Sequence, residues 1–317
     1  MQCGNTLHIP DAPVLARFAA GFKCKNNNKE NMDVPRLVSY FDEWSNANDV
    51  ATQLLFDASG ATGRHNELAL SSVFQPLLDS TTLKAIAYEA LLRVSDKAGL
   101  AIAPDVLFRS MAENSGVVAL DRLCRVIHSI NFFSQAQSDL SLFLNINGRH
   151  LLGIQKGSHG AAFETLLRYC CLKPSQVVLE ILESEVDNLE NVQFAIDAYK
   201  SKGFRIAIDD FGCRHSNFDR LWVLSPDIVK LDRSLIVQAD HNPRAAKMLP
   251  SLVRLIHELG AQVVCEGIET PAQHARAVDS GVDLLQGYYY ARPHKTLTPQ
   301  VAGGEKAREV GRHLQAA

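Results

Sequence analysis

Acidic side chains lie in or directly after short apolar segments along this chain. Six carboxylates and one amide hold such positions: Glu89, Asn145, Glu180, Asp209, Asp210, Asp232 and Glu266. Apolar segments that end in bare carboxylates are destabilised unless cations neutralise the charge. Carboxylate and amide oxygens are the ligands that Mg²⁺ and Mn²⁺ prefer. The set therefore predicts two divalent metal ions that share a ligand, an arrangement suited to the hydrolysis of phosphodiesters.

A plainer interpretation is that single acids at such positions cap helices or face solvent. The adjacent pair Asp209 and Asp210, without a compensating basic cluster, favours the metal site for the set as a whole. Lys230 lies two residues before Asp232 and shares its strand face, because side chains alternate along a strand. It could orient an attacking water or neutralise developing phosphoryl charge; alternatively, it forms an ion pair with a neighbouring carboxylate. The histidines are isolated and are not expected to be ligands.

The elements that must position these residues begin near Ser72. Short strand-like segments alternate there with amphipathic helical stretches, which predicts βαβ units and a parallel sheet. The predicted strands are Val73–Leu77, Ala85–Leu91, Leu140–Asn145, Val177–Leu182, Arg205–Asp209, Ile228–Leu231, Gln262–Cys265 and Leu284–Gly287. The predicted helices include Val118–Phe133, Ala161–Cys171, Asn188–Ser201, Ala245–Leu259 and Pro271–Asp279.

Eight strands favour a closed (β/α)₈ barrel of the α/β class over an open doubly wound sheet. The strand ends of such a barrel converge on one face, which holds the active site. The first two strands leave room only for a hairpin at Asp79–Lys84, so one strand is expected to run antiparallel. Residues 1–65 are predicted to be a leader, partly helical or disordered and without an assigned function, and residues 66–317 form the barrel domain.

Composition narrows the classes of partner. A net charge of −3 over 317 residues provides no basic field for polymeric nucleic acid. No stretch approaches the roughly 20 apolar residues of a membrane span. The seven cysteines show no CxxC spacing, which favours reduced thiols and a cytoplasmic location.

Nine ordered motifs between residues 70 and 295 resemble the EAL family of cyclic-di-GMP phosphodiesterases. The namesake tripeptide is Glu89, Ala90 and Leu91. The motifs are FQPLL, YEALLR, APDVLFRSMAENSG, LFLNIN, LEILE, IDDFG, DIVKLD, CEGIET and QGYYYARP. The resemblance implies a TIM-like barrel with one antiparallel strand, in which two Mg²⁺ or Mn²⁺ ions support hydrolysis of 3′,5′-cyclic di-GMP to linear pGpG. It also makes a homodimer an expectation.

The resemblance implies roles for individual positions. Those matching ligands of the first metal are Glu89, Asn145, Glu180 and Asp209, and those around the second are Asp209, Asp210 and Glu266. Lys230 matches the lysine that holds the attacking water. Positions that match substrate contacts are Gln75, Leu91, Arg93 and Gln286, and positions that match supporting acids are Glu183, Asp232 and Glu269.

The loop after Asp210 departs from the family pattern. Cys213, Arg214, His215 and Asn217 replace a small polar residue, a glycine, a tyrosine and a serine. Arg214 is expected to restrict the loop, because it cannot adopt positive φ as easily as glycine does; alternatively, it contacts a substrate phosphate or faces solvent. Leu182 and Val94 replace a usual threonine and a common aromatic residue. The alternative function is therefore a catalytically weak or inactive EAL domain that binds cyclic di-GMP or a protein partner.

Overall fold

The computed structural model comprises two compact units, and two long strands contribute residues to both. The first contains Met1–Ser72, Leu92–Ser138 and Thr165–Leu172, and the second contains Val73–Leu91, Asp139–Glu164 and Lys173–Ala317. The residues that the structure describes are 36–39, 41–43, 52–57, 60–110, 116–136, 139–146, 167, 173–182, 189–213 and 218–297. None of the helices in these ranges is long and apolar enough to cross a membrane.

The first unit is built on short antiparallel strand pairs. Its complete strands are β1 (Thr52–Asp57), β2 (Gly60–His65) and β5 (Ala101–Ile102). Two longer strands, β3 (Leu68–Asp79) and β4 (Ala85–Ser95), contribute their first and last residues, respectively. β2 pairs with β1 and with β3, and β4 pairs with β5. The helices are α1 (Pro104–Ser110) and α2 (Gly116–Phe133), and α2 packs on β1 and β2. Residues 36–39 and 41–43 are also helical.

One apolar core holds this unit together, and it includes Leu37, Phe41, Leu54 and Leu123. Asn131 on α2 binds both backbone groups of Ala61, with its Oδ1 accepting and its Nδ2 donating at 2.7 Å each. The sequence analysis did not predict β1 or β2, and both lie inside the stretch that it assigned to a leader. The boundary at residue 65 stays a prediction.

Eight strands of the second unit close into a barrel. They are the remainders of β3 and β4 with β6 (Ser141–Asn145), β7 (Val177–Leu182), β8 (Arg205–Phe211), β9 (Ile228–Leu231), β10 (Gln262–Cys265) and β11 (Leu284–Leu285). Their order is β3-β11-β10-β9-β8-β7-β6-β4, and pairing between β3 and β4 closes the ring. β3 is antiparallel to β11, whereas the pairs from β4 round to β11 are parallel. The predicted barrel with one antiparallel strand is confirmed.

Helices accompany the parallel strands. They are α3 (Leu189–Lys200), α4 (Asp219–Leu224), α5 (Arg233–His241), α6 (Pro243–Glu258) and α7 (Pro271–Asp279). The prediction of one helix at Ala245–Leu259 missed α5. Asn242 separates the two helices, since its side chain accepts a hydrogen bond from the Arg244 N–H at 3.0 Å and Pro243 begins α6. The predicted helix Ala161–Cys171 lies outside the described residues except for Leu167, which is helical.

The barrel interior is filled by one apolar side chain from each of its eight strands. We call this set the apolar layer: Leu77, Ala87, Phe143, Val178, Ala207, Ile228, Val264 and Leu284. Each of these side chains is at most 4% exposed. The layer makes the barrel a packed core rather than a pore, and it forms the floor beneath the next set of inward-facing residues.

Candidate metal centre

A ring of polar side chains lies directly above the apolar layer. Because side chains alternate along a strand, the residue two positions further along faces the same side. Two residues after each apolar-layer residue, every parallel barrel strand carries a polar residue or is followed by one. In antiparallel β3, the polar residue lies two positions before Leu77. We call this ring the polar layer: Gln75, Glu89, Asn145, Glu180, Asp209, Lys230, Glu266 and Gln286. The carboxyl ends of the parallel strands thus bring together all six predicted metal ligands except Asp210, together with Lys230.

Lys230 is the centre of this ring. Its side chain is 1% exposed, and its Nζ lies 2.6 Å from Glu180 and 2.7 Å from Glu266. Asp209 lies 3.0 Å and Glu89 3.5 Å from the same nitrogen. Lys230 therefore forms ion pairs with four carboxylates, as the alternative interpretation of the sequence predicted. One ammonium group faces four carboxylates, which leaves the cluster short of positive charge.

Burial governs the ionisation of these groups. Burial and the nearby Glu89 carboxylate raise the pKa of Glu180 well above its ordinary value, against the opposing effect of Lys230. Burial raises the pKa of Asp209 and, more strongly, that of Glu266. Burial alone would lower the pKa of Lys230, but the surrounding carboxylates raise it well above its usual value. The lysine is therefore a permanent cation among acids that lack sufficient counter-charge.

A β-bulge sets the positions of the paired aspartates. The register between β8 and β9 shifts between Ile208 and Phe211, so β8 carries one extra residue there. Asp210 has a φ of +57°, a left-handed conformation that aspartate tolerates better than most residues. Its N–H donates to Asp209 Oδ1 at 3.0 Å. Burial and the Asp209 carboxylate raise the pKa of Asp210 to about 6.

Amide side chains complete the ring. Asn145 Nδ2 donates to Glu89 at 3.3 Å and to Glu180 at 3.1 Å. Gln286 Nε2 donates to Glu89 at 2.7 Å and lies 3.4 Å from the Gln75 amide oxygen. The Oε1 atom of Gln286 is buried and has no hydrogen-bond partner in the described part of the chain. These amides hold Glu89, and the Oε1 atom of Gln286 remains an acceptor inside the ring that a bound ligand could use.

Two of the acids expected to support the site, Asp232 and Glu269, form contacts at the start of α5. Asp232 caps α5 by accepting a hydrogen bond from the Ser234 N–H at 2.9 Å, and its charge contributes to the raised pKa of Asp210. Glu269 pairs with Arg233 at 2.9 Å, a contact that the sequence analysis did not predict. Arg233 directly follows Asp232, but nothing in its spacing distinguishes it from an ordinary surface residue at a helix start.

Two predicted residues, Leu91 and Arg93, are not members of the polar layer. Leu91 is half-buried near the end of the barrel part of β4. Arg93 belongs to the first unit and is exposed, with Nη1 donating to the Leu92 carbonyl at 3.0 Å. Glu183 lies outside the described residues, as do residues 214–217 of the altered loop.

The donor set fits divalent cations. One oxygen from each of Glu89, Glu180 and Asp209 lies within 4.8 Å of the others, and the same holds for Asp209, Asp210 and Glu266. Asp209 belongs to both groups, as a ligand shared by two ions would. Five carboxylates and one lysine leave four negative charges when all are ionised, which divalent cations would offset. Oxygen donors of this kind suit Mg²⁺, Mn²⁺ or Ca²⁺.

Comparison with known proteins identifies the family. The EAL domain model matches residues 61–293. A probable cyclic di-GMP phosphodiesterase of Escherichia coli, PdeA, is 27% identical over 271 residues, which are 76% of this chain and 37% of PdeA. This chain matches between 28% and 55% of the length of these curated relatives.

Two solved structures share the fold. The YkuI protein of Bacillus subtilis, in complex with cyclic di-GMP and calcium, is 24% identical, with a TM-score of 0.66 over 78% of this chain and 61% of that one. A manganese and cyclic di-GMP complex of Klebsiella pneumoniae BlrP1 is 23% identical, with a TM-score of 0.64 over 71% and 56%. Both relatives therefore hold a divalent cation. With its barrel, its ring of acids and a family match over residues 61–293, the chain belongs to the EAL domain family.

Proposed function

We propose that this chain is a phosphodiesterase that hydrolyses 3′,5′-cyclic di-GMP to linear pGpG with two Mg²⁺ or Mn²⁺ ions. The observation that carries the proposal is the polar layer, in which a complete set of carboxylate and amide donors surrounds one lysine. The names of the relatives, which include a probable cyclic di-GMP phosphodiesterase, supply the substrate.

The residues divide between two cation sites. Glu89, Asn145, Glu180 and Asp209 would hold one ion, while Asp209, Asp210 and Glu266 would hold the other. When bound, the two ions supply positive charge that stabilises the reacting phosphoryl oxygens and activates water for attack.

The remaining groups orient the reactants. Lys230 Nζ is fixed among four carboxylates, so its positive charge stays at the centre of the ring, where it would neutralise developing phosphoryl charge. Water adds to phosphorus, the bond to the 3′-oxygen breaks, and that oxygen takes up the proton that the water releases. Gln75 and Gln286 present amide groups at the rim of the ring. Asp232 and Glu269 steady the loops after β9 and β10 through Ser234 and Arg233.

A homodimer is part of the proposal. Phe218, Trp222 and Val223, at and within α4, expose 44%, 59% and 38% of their surface, respectively. Large apolar side chains exposed so close together favour a protein contact. Sedimentation of the purified chain, compared with Trp222→Ser, tests this: the wild type should run as a dimer and the variant should shift towards monomer.

The test of the activity is a single-turnover assay with purified chain and cyclic di-GMP in Mg²⁺, Mn²⁺ or Ca²⁺. We expect pGpG with Mg²⁺ or Mn²⁺. Ca²⁺ should inhibit, because its larger and looser coordination misplaces the activated water. Binding of the dinucleotide without formation of pGpG in either metal would instead identify a receptor.

A further inference from the structure

Tyr288 and Arg292 form an exposed pair that the proposed reaction leaves without a role. Cζ of Arg292 lies 4.3 Å from the centroid of the Tyr288 ring. Tyr288 is 47% exposed and Arg292 is exposed as well. Throughout the part of the chain that the structure describes, no carboxylate forms an ion pair with Arg292. A cation–π contact holds a guanidinium over a ring without using its N–H donors, so these remain available to a ligand.

The backbone that carries this pair is attached to the polar layer. The Gln75 amide donates to the carbonyl oxygen of Ala291, the neighbour of Arg292, at 3.2 Å. The same glutamine lies 3.4 Å from Gln286, which in turn donates to Glu89. After Arg292, His294 exchanges two backbone hydrogen bonds with Phe74, at 2.7 Å and 2.9 Å. Arg292 therefore lies at the rim of the site, on a segment fixed on both sides.

A close backbone contact fixes the turn itself. The Tyr289 N–H donates to the Ile268 carbonyl at 2.9 Å, and the Ile268 N–H donates to Gln286 at 3.1 Å. A Cβ on Gly287 would lie 2.1 Å from the Ile268 carbonyl oxygen, so only glycine permits this approach. A recognition group on such a rigid element is held in position before its ligand arrives.

We propose that Arg292, steadied by Tyr288, recognises a guanine base of the substrate by donating two hydrogen bonds to its O6 and N7. This inference rests on the proposed function and deepens it. A guanidinium fork matches these two acceptors, whereas adenine presents an N6 donor in place of O6. Aromatic faces such as the free face of Tyr288 also accept stacked bases.

The place of the pair favours a base over a phosphate. The reacting phosphate must lie at the acidic ring, where Lys230 and the two cations meet it. The ribose separates each base of a cyclic dinucleotide from the phosphates, so a base would lie farther from the acidic ring than the reacting phosphate does. A guanidinium at the rim, beside an aromatic ring, is therefore placed for the planar edge of a base.

The test combines affinity with selectivity. Cyclic di-GMP is titrated in Ca²⁺ buffer against wild type, Arg292→Ala and Arg292→Lys. Loss of a bidentate contact worth about 1–3 kcal/mol should raise Kd about 5- to 150-fold. Arg292→Lys should lose most of that affinity as well, because lysine keeps the charge but not the fork. Tyr288→Phe should restore most of the affinity that Tyr288→Ala loses. Arg254→Ala removes an exposed arginine of α6 and serves as the charge control.

Selectivity is measured in Mn²⁺ as the ratio of kcat/KM for cyclic di-GMP to that for bis(p-nitrophenyl) phosphate, which has no base. Arg292→Ala should lower this ratio about 5- to 150-fold. A ratio within twofold of wild type, or a Kd within twofold, would overturn the proposal. Full affinity in Arg292→Lys would mean that charge alone acts, which also contradicts it. A chain that forms no pGpG but still loses affinity in Arg292→Ala would refute the proposed activity and leave the guanine contact standing.

Discussion

Replacing Lys230 by methionine removes the single cation at the centre of the polar layer while nearly preserving side-chain volume. The lysine is 1% exposed and lies between 2.6 Å and 3.5 Å from four carboxylates. At an effective dielectric constant of about 20, each contact is worth about 5–6 kcal/mol before desolvation is subtracted. Removing one partner of a buried ion pair typically costs about 3–5 kcal/mol in net stability. We expect Lys230→Met to lose about that much free energy of unfolding at pH 8 in EDTA.

Divalent cations should offset the loss. They bring positive charge to the same carboxylates, so the difference between variant and wild type should shrink in millimolar Mn²⁺. Urea unfolding followed by circular dichroism, with and without Mn²⁺, measures both quantities. Lys247→Met on the exposed side of α6 is the matched control and should cost less than about 1 kcal/mol. A loss below about 1 kcal/mol for Lys230→Met in EDTA, or a loss that Mn²⁺ leaves unchanged, would refute this reasoning.

Three further predictions concern other parts of the molecule. Glu89→Gln keeps the shape but not the charge of a proposed ligand, so pGpG formation at limiting Mn²⁺ should fall more than about 100-fold, whereas Glu258→Gln on α6 should match wild type. Burial lowers the pKa of His128 to about 3, so the stability that its neutral ring contributes is complete above pH ~6.5 and is lost as pH falls from there towards 3, by about 1.4 kcal/mol per unit. His128→Gln should therefore lose about 2 kcal/mol less than wild type between pH 6.5 and 5 in urea unfolding, and equal losses would contradict this. Gly287→Ala places a methyl group against the Ile268 carbonyl and should cost roughly 1–3 kcal/mol; a thermal midpoint equal to that of wild type would show that the turn can relax.

The barrel was predictable because its strands follow simple rules of composition. The bounds of β7, β9 and β10 agree with the predicted strands residue by residue, since each is a short apolar run with clear breaks on both sides. The acids of the polar layer were predictable for a related reason, because acids inside or after such runs are costly without a partner, whereas Gln75 and Gln286 were assigned only from the family resemblance. The alternation of side chains along a strand also predicted that Lys230 faces the same side as the acids.

Other features depend on contacts between distant residues. β1 and β2 contain polar residues and glycine, and they are stabilised by pairing, by Asn131 on α2 and by packing of Leu54 and Phe56 in the apolar core. The bulge that positions Asp210 arises from the register between β8 and β9, which one strand alone does not reveal. The pair of Tyr288 and Arg292 depends on the turn that the Ile268 backbone holds. No local pattern encodes any of these.

The number of cations held by the acidic ring tests the central claim most directly. Equilibrium dialysis of the purified chain against Mn²⁺ should give two ions per chain, because Asp209 joins two groups of carboxylates. Asp209→Asn, which removes the charge of the shared ligand, should weaken binding of both ions. One ion or none in the wild type, or an unchanged count and affinity in Asp209→Asn, would contradict the account.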